Sequence, residues 1–370
     1  MSECIEGRVY LSDCLSQSSV DLIESLPAAS YTRKPARDIY ISQTAINKEK
    51  FLVGYQRCNA HLPEQGLYKI KDAEVRGKGL IKLDGALIRD NLEGAPEPKI
   101  LEALTDRDSA KNTNEEPVLY VTRYGIKNYG HCLADVIPRI MWFYEKMPDV
   151  KLALHPEMPA QIYEALQIAG IPHDSMIELY DGNTHISSMY FISLWNEHPL
   201  VHTPRAMGYV KKLKDKILET LKNTLEWNTA PRKIFVGRKD SNTRQITNYD
   251  EVIALLTSEG YVEISSGELS FTEQVTHFSA ARSVVGIAGA AMTNIPFCPE
   301  GTSVLALAPD SMPAFYFWDM AHHANLDYGV AYFSGIERRN TFVDKSEDIF
   351  ASFSVDVPVL EELIRSGKDE

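Results

Sequence analysis

Apolar residues in the second half of the chain fall into short runs separated by stretches with a helical period. The runs are Lys233-Ile-Phe-Val236, Tyr261-Val-Glu-Ile264, Ser283-Val-Val285, Ser303-Val-Leu-Ala-Leu307 and Tyr328–Phe333. Their brevity and β-branched content predict strands. Asn248-Tyr-Asp-Glu251 and Ser270-Phe-Thr-Glu273 each set a capping side chain three residues before a glutamate. That is the capping-box pattern, and it predicts helices running to about Ser258 and Ala281. Further helices are expected over 290–297 and 312–324. Strands alternating with helices of this length predict parallel βαβ units.

The first half is less regular. Strands are expected at 118–122, 151–154, 176–180 and 189–193. A helix over 129–146 carries Leu133, Val136, Ile137, Ile140, Met141 and Phe143 on or near one face. Pro159 and Gly170 bracket a helix over 159–169, 204–226 reads as a long amphipathic helix, and Asn228–Arg232 as a linker. Before residue 117 the chain reads as strands and loops. Asp84-Gly85 between two apolar runs signals a hairpin, and the polar stretch 93–116 reads as a loop.

These patterns predict an N-terminal domain over 1–227, made of a β-rich leader (1–116) and an α/β part (117–227). A second domain follows over 228–345. The tail, 346–370, with a helix at Pro358–Ser366, is expected to pack back on the first domain. Two α/β halves predict a cleft between domains as the ligand site, and 370 residues suffice for two cores.

Charge narrows the function. With 38 basic and 51 acidic residues the chain carries a net charge of −13. Such a surface repels phosphate backbones and anionic lipid, which argues against a nucleic-acid partner or a polybasic membrane anchor. The five cysteines, Cys4, Cys14, Cys58, Cys132 and Cys298, form no Cys-x-x-Cys pair, so a reducing compartment without structural zinc is expected. No apolar run approaches the ~20 residues of a membrane span, and no signal-peptide pattern or Asn-x-Ser/Thr sequon is present.

Three segments carry candidate chemistry. In Asn128-Tyr-Gly130-His131-Cys-Leu-Ala-Asp135-Val-Ile-Pro-Arg139, an imidazole and a carboxylate stand one turn apart at a helix start. The carboxylate can orient the imidazole and raise its basicity. The bland alternative is a helix cap with a solvated partner. In Val236-Gly-Arg238 through Arg244 to Asn248, two arginines follow a strand, where guanidinium forks suit a diphosphate; solvated loop arginines are the competing reading. In Gly286-Ile-Ala-Gly289-Ala290-Ala291-Met-Thr293-Asn294, a strand gives way to a small-residue turn and a helix start. Free N–H groups there can cradle phosphate, or the small residues can serve tight strand–helix packing. Weaker signals are His322-His323, expected on the surface, Trp195-Asn-Glu-His198, a candidate cleft lining, and a turn at Asp181-Gly182.

In this order and spacing the three segments resemble glycosyltransferase family 61, whose bacterial members are often labelled capsular polysaccharide biosynthesis proteins. The shared motifs are Asn128-Tyr-Gly-His131 with Asp135; Arg238, Arg244 and Asn248; Leu269-Ser-Phe-Thr-Glu-Gln274; Gly286–Asn294; and Phe297-Cys-Pro-Glu-Gly301-Thr302. The match spans roughly 118–333. Ala288 stands where the family usually has histidine, and Ala306 where it usually has glutamate. The resemblance implies a GT-B fold of two facing Rossmann-like domains and an inverting, metal-independent transfer of a hexosyl, pentosyl or N-acetylhexosaminyl group. The donor would be a nucleotide-diphosphate sugar, UDP-linked, and the acceptor a glycan. It implies donor binding by Arg238, Arg244, Asn248, Gly286, Gly289, Ala290, Ala291, Thr293 and Asn294. His131 or Asp135 would be the general base, and Asn128, Gly130 and Arg139 would lie on the acceptor side. A cytoplasmic location with peripheral association to membrane-bound glycan machinery is the matching expectation. Ala288 motivates an alternative, a nucleotide-sugar or glycan-binding protein of impaired catalysis. A nicotinamide oxidoreductase would require the three-glycine fingerprint that this chain lacks.

Overall fold

The computed structural model describes residues 8–15, 17–45, 47–76, 79–92, 95–106, 110–123, 125–178, 183–197, 201–239, 241–335 and 348–367. It divides into two compact units, one formed by Met1–Ala29 with Leu62–Asn196, the other by Ser30–His61 with Glu197–Glu370. The fold is mixed α/β, with parallel and antiparallel sheets, and the two large sheets share no strand. Among the described residues no helix is long and apolar enough to cross a membrane.

The second unit holds a six-stranded parallel sheet. Its order is Val262–Ile264, Lys233–Val236, Ser283–Ile287, Ser303–Pro309, Asp327–Phe333 and Asp38–Ile41. Central strands are buried on both sides, as a parallel sheet requires. Phe235, Val285, Leu305, Leu307 and Phe333 form a core with Val252 and Leu256 of the helix Tyr249–Ser258. The predicted βαβ alternation is present throughout this stretch, and the Ser270–Glu273 capping box is formed in full.

The domain limits differ from those expected. The division falls at 196/197 rather than near 227. The helix Pro204–Leu221, capped by Thr203, belongs to the second unit, where the Lys214 ammonium donates to the carbonyls of Pro296 and Cys298. That helix stops at Leu221, and Thr224 caps a separate helix, Leu225–Thr229. Residues 30–61 also join the second unit, because Asp38–Ile41 pairs in parallel with Asp327–Phe333, Asp38 opposite Gly329. The tail helix Val357–Ser366 buries Leu360 and Ile364 in the second unit's core, not the first's.

The first unit is built on a ten-stranded mixed sheet. Val118–Tyr120 lies between the parallel strands Lys151–Leu154 and Thr184–Ile192, and Gln65–Arg76 continues the sheet antiparallel to the latter. The hairpin forms as predicted: Leu83 pairs with Ala86 across Asp84 and Gly85, both at positive φ (48° and 83°). The stretch read as a polar loop contains a helix, Glu97–Thr105, whose Ile100 and Ala103 pack on Leu80 and Leu87. The turn read at Asp181-Gly182 lies outside the described residues, as does His198.

Candidate functional site

The second sheet has one point where the chain reverses its direction of travel. From Lys233–Val236 it moves outward to Val262–Ile264, then back across to Ser283–Ile287 on the other flank. In open α/β sheets such a point is the usual ligand position, here at the carboxyl ends of Lys233–Val236 and Ser283–Ile287. Gly237-Arg238 leaves from one side of it and Ala288-Gly289 from the other.

Arg238 is oriented from below by its own loop. Its guanidinium donates to the Thr243 carbonyl (3.2 Å), Ser241 Oγ (2.8 Å) and Thr243 Oγ1 (3.1 Å). Above, it lies on Gly289, where an added Cβ would fall 1.9 Å from Nη1. Gly289 itself is fully extended, so the glycine answers the proximity of the guanidinium rather than a backbone need. Ala290 and Ala291 open the 3₁₀ helix Ala290–Phe297. Their N–H groups are the helix's first, which no earlier helical carbonyl accepts.

Arg244 adds a second cation. Its φ is +55°, a left-handed value uncommon for a residue with a side chain. The conformation is held by its own N–H donating to the Phe350 carbonyl (3.0 Å). One guanidinium nitrogen faces Met312 Sδ at 2.7 Å, and Nε is buried with no hydrogen-bond partner. Burial, then the like charge of Arg238, pushes its pKa down to about 10. Among the described residues no carboxylate pairs with it. A half-buried guanidinium beside a second one, without an acid to neutralise it, is arranged for an anion that arrives from solution.

Other residues expected to bind the donor are occupied elsewhere. Asn248 does not cap its helix. Its amide bonds the Val355 carbonyl (2.9 Å) and its oxygen accepts from the Val355 N–H (3.0 Å), tying down the 354–355 strap. Gly286 makes room for Met292, whose Sδ would sit 2.1 Å from a Cβ there. Thr293 and Asn294 are buried, and the Asn294 amide donates to Gln274 Oε1 (2.7 Å). With Phe271 edge-on to Phe297 (5.6 Å), the Leu269–Gln274 motif is thereby explained as the mate of the 289–297 turn. Ala288 and Ala306 are fully buried and bring no polar group to the crevice.

In the first unit, His131 is half-exposed and closes the short helical turn Tyr129–His131, which the exposed Asn128 caps by accepting the Gly130 N–H (2.9 Å). Gly125, at φ +81°, passes beside the imidazole. The next turn, Cys132–Val136, is π-helical before α-helix resumes over Ile137–Tyr144. Such turns persist where a functional or packing demand holds them. Asp135 departs from expectation here. It is fully buried, and its carboxylate accepts from Arg139 Nη2 (2.5 Å) and the Trp195 N–H (3.0 Å), with Arg123 Nη1 3.8 Å away. Arg139, also fully buried, donates to the carbonyls of Ile192 (2.9 Å) and Val121 (3.3 Å). These two residues fasten the helix to the ends of two parallel strands. Both side chains are sealed from solvent, and the contacts described are those of a brace rather than of an open site. Trp195 is buried against Trp142 and lines no open surface. Arg123 was not anticipated, although an arginine directly after the strand 118–120 was the available signal.

His322 and His323 are likewise not simple surface residues. Asp319, one turn into the helix Phe315–His323, accepts from Tyr31 (2.7 Å), Arg33 Nε (2.5 Å) and His202 through both its N–H (2.7 Å) and Nδ1 (2.8 Å). Burial alone would raise the Asp319 pKa. The His202 bond and the charges of His202, Arg33 and His323 outweigh it and hold the carboxyl below its usual range. The His322 ring stacks on Tyr31, and His323 is pushed down to about 4 by burial.

Comparison with known proteins adds the family. No curated protein matches the sequence. Two solved structures of the dodecameric iron-containing glycosyltransferase TibC align at 14% identity and a TM-score of 0.34. One, described as a heptosyltransferase in complex with ADP-D-beta-D-heptose, is matched over 84% of this chain and 88% of its own. The other, from enterotoxigenic E. coli H10407, is matched over 78% and 76%. The family model described as Glycosyltransferase 61 matches residues 129–305, taking in the His131 turn, the Arg238 loop and the Gly289 turn. Residues 129–305, just under half of the chain, are thus identified as a glycosyltransferase family 61 region.

Proposed function

We propose that the protein is an inverting glycosyltransferase of GT-B type. It moves a sugar from a nucleotide-diphosphate sugar to a glycan or polysaccharide acceptor, as in assembly of capsule, exopolysaccharide or lipopolysaccharide, on the cytoplasmic side. The observation that carries this is Arg238 seated on Gly289 at the reversal point of the second sheet, beside an Arg244 that no acid among the described residues neutralises. The acceptor oxygen attacks the anomeric carbon while the bond from that carbon to the donor's phosphate oxygen breaks. The electron pair leaves with the nucleoside diphosphate, and the acceptor proton passes to a base. Arg238, Arg244 and the N–H groups of Ala290 and Ala291 stabilise the departing charge. His131, exposed where Asp135 is buried, is the base.

A turnover screen with UDP-, ADP- and GDP-sugars tests the reading. Because the anchors are guanidinium and backbone groups, activity should persist in EDTA. His131→Ala should lower kcat at least ~10²-fold, with UDP affinity intact. Near-normal kcat in a folded His131→Ala protein would make the histidine structural.

A further inference from the structure

Phe350 is a large aromatic left 47% exposed, the one phenylalanine so exposed among the described residues. It does not sit on a floppy segment. Its carbonyl accepts the Arg244 N–H (3.0 Å), and three residues on, Phe353 exchanges backbone bonds with Gln245 (3.0 Å) and Thr247 (2.9 Å). Asn248 then clamps Val355 from both sides of its amide. The strap 350–355 is therefore fixed at the carboxyl edge of the second sheet, alongside the loop that carries both arginines. The Phe350 ring centre lies 5.8 Å from the Arg244 guanidinium carbon, near the outer limit at which a cation and a ring attract. That contact leaves much of the ring open. Two further aromatics beside this loop are already committed: Phe353 is fully buried, and the Tyr249 hydroxyl bonds Glu263 while its ring packs on Phe235 and under Lys239.

We propose that Phe350 is the platform on which the base of the bound nucleotide stacks. The assignment rests on the donor reading of Arg238 and Arg244, and it extends that site from the diphosphate to the nucleobase. With the phosphates held at the crevice between Arg238 and Arg244, the ribose and base continue past Arg244, and the open ring face beside that guanidinium receives them. Every nucleobase has a π face, so a phenylalanine supplies affinity while leaving base identity to other contacts. A ring fixed in place before binding adds little ordering cost.

The test compares two probes by calorimetric titration, UDP and inorganic pyrophosphate, on the full chain. Wild type binds both. Phe350→Ala should bind UDP about tenfold more weakly, the usual scale of base–aromatic stacking, with pyrophosphate affinity unchanged. Phe350→Trp should bind UDP at least as tightly as wild type. Unchanged UDP affinity in Phe350→Ala, with pyrophosphate still bound, overturns the platform and leaves the diphosphate site standing. An equal loss for both probes also overturns it, since the ring would then act only through Arg244. Failure of wild type to bind either probe defeats the donor reading itself.

Discussion

Asp135→Asn should lower the unfolding free energy by about 3–5 kcal/mol, the range for leaving one member of a buried ion pair alone. The variant keeps the shape and can still accept from the Trp195 N–H, so packing is preserved. What it removes is the negative charge that faces Arg139 at 2.5 Å and Arg123 at 3.8 Å. Two guanidinium groups, both nearly or fully buried, would then lose the carboxylate that they share. Urea denaturation of wild type and variant at one pH gives the difference directly. Replacing the pair together, Asp135→Leu with Arg139→Met, should be milder than the single change, because the nearer of the two guanidinium charges leaves together with the carboxylate. A single-variant loss below about 1 kcal/mol, combined with a collapse of kcat, would return Asp135 to the chemistry.

Removing either arginine of the second unit should produce the opposite pattern, a functional loss without a structural one. Arg238→Ala and Arg244→Met should each weaken UDP binding by about 1.5–3 kcal/mol, the worth of charge-assisted bonds, and each should lower kcat by ~10²–10³. The unliganded Arg244→Met protein should be as stable as wild type or more so. The change removes a cation that burial and Arg238 already disfavour, and it keeps the apolar stem. Gly289→Ala gives the same binding defect while every charge is kept, since its methyl would occupy the space of Arg238 Nη1. UDP titration and thermal melts of the same samples separate the two quantities. Unchanged UDP affinity in both arginine variants removes the diphosphate from this crevice.

Local patterns in the sequence were good guides where the interaction that stabilises an element is itself local. The Ser270 box forms because Ser270 and Glu273 satisfy each other's backbone donors, and Asp84-Gly85 forms its hairpin because both residues accept positive φ. Asn248 shows the limit: the same signature stands in the chain, but the side chain is taken by Val355, 107 residues away. The strand Asp38–Ile41 had no legible signal for its place, because its strand partner among the described residues is the distant Asp327–Phe333. Site residues divide in the same manner. A glycine reports a close approach without saying what approaches: at Gly289 it is a guanidinium, at Gly286 merely Met292. Asp135 and Arg139, four apart on a helix, look alike as a functional pair and as a buried brace, and only burial distinguishes them. Arg238 and Arg244 were legible in position, because a strand end followed by arginines places them in the loop at the sheet's carboxyl edge.

The pairing of Asp38 with Gly329 also bears on how the protein comes into being. As the chain emerges from the ribosome, the strand Asp38–Ile41 is made long before its neighbour Asp327–Phe333. Until that neighbour is made this segment has an unsatisfied hydrogen-bonding edge, and closing so long a loop makes its docking slow. The second unit is for the same reason not a severable piece. A fragment beginning at Glu197 would present Asp327–Phe333 as an open, apolar edge strand, a template for aggregation. A soluble version requires residues 30–61 to be supplied, either grafted by a linker or added as a separate chain.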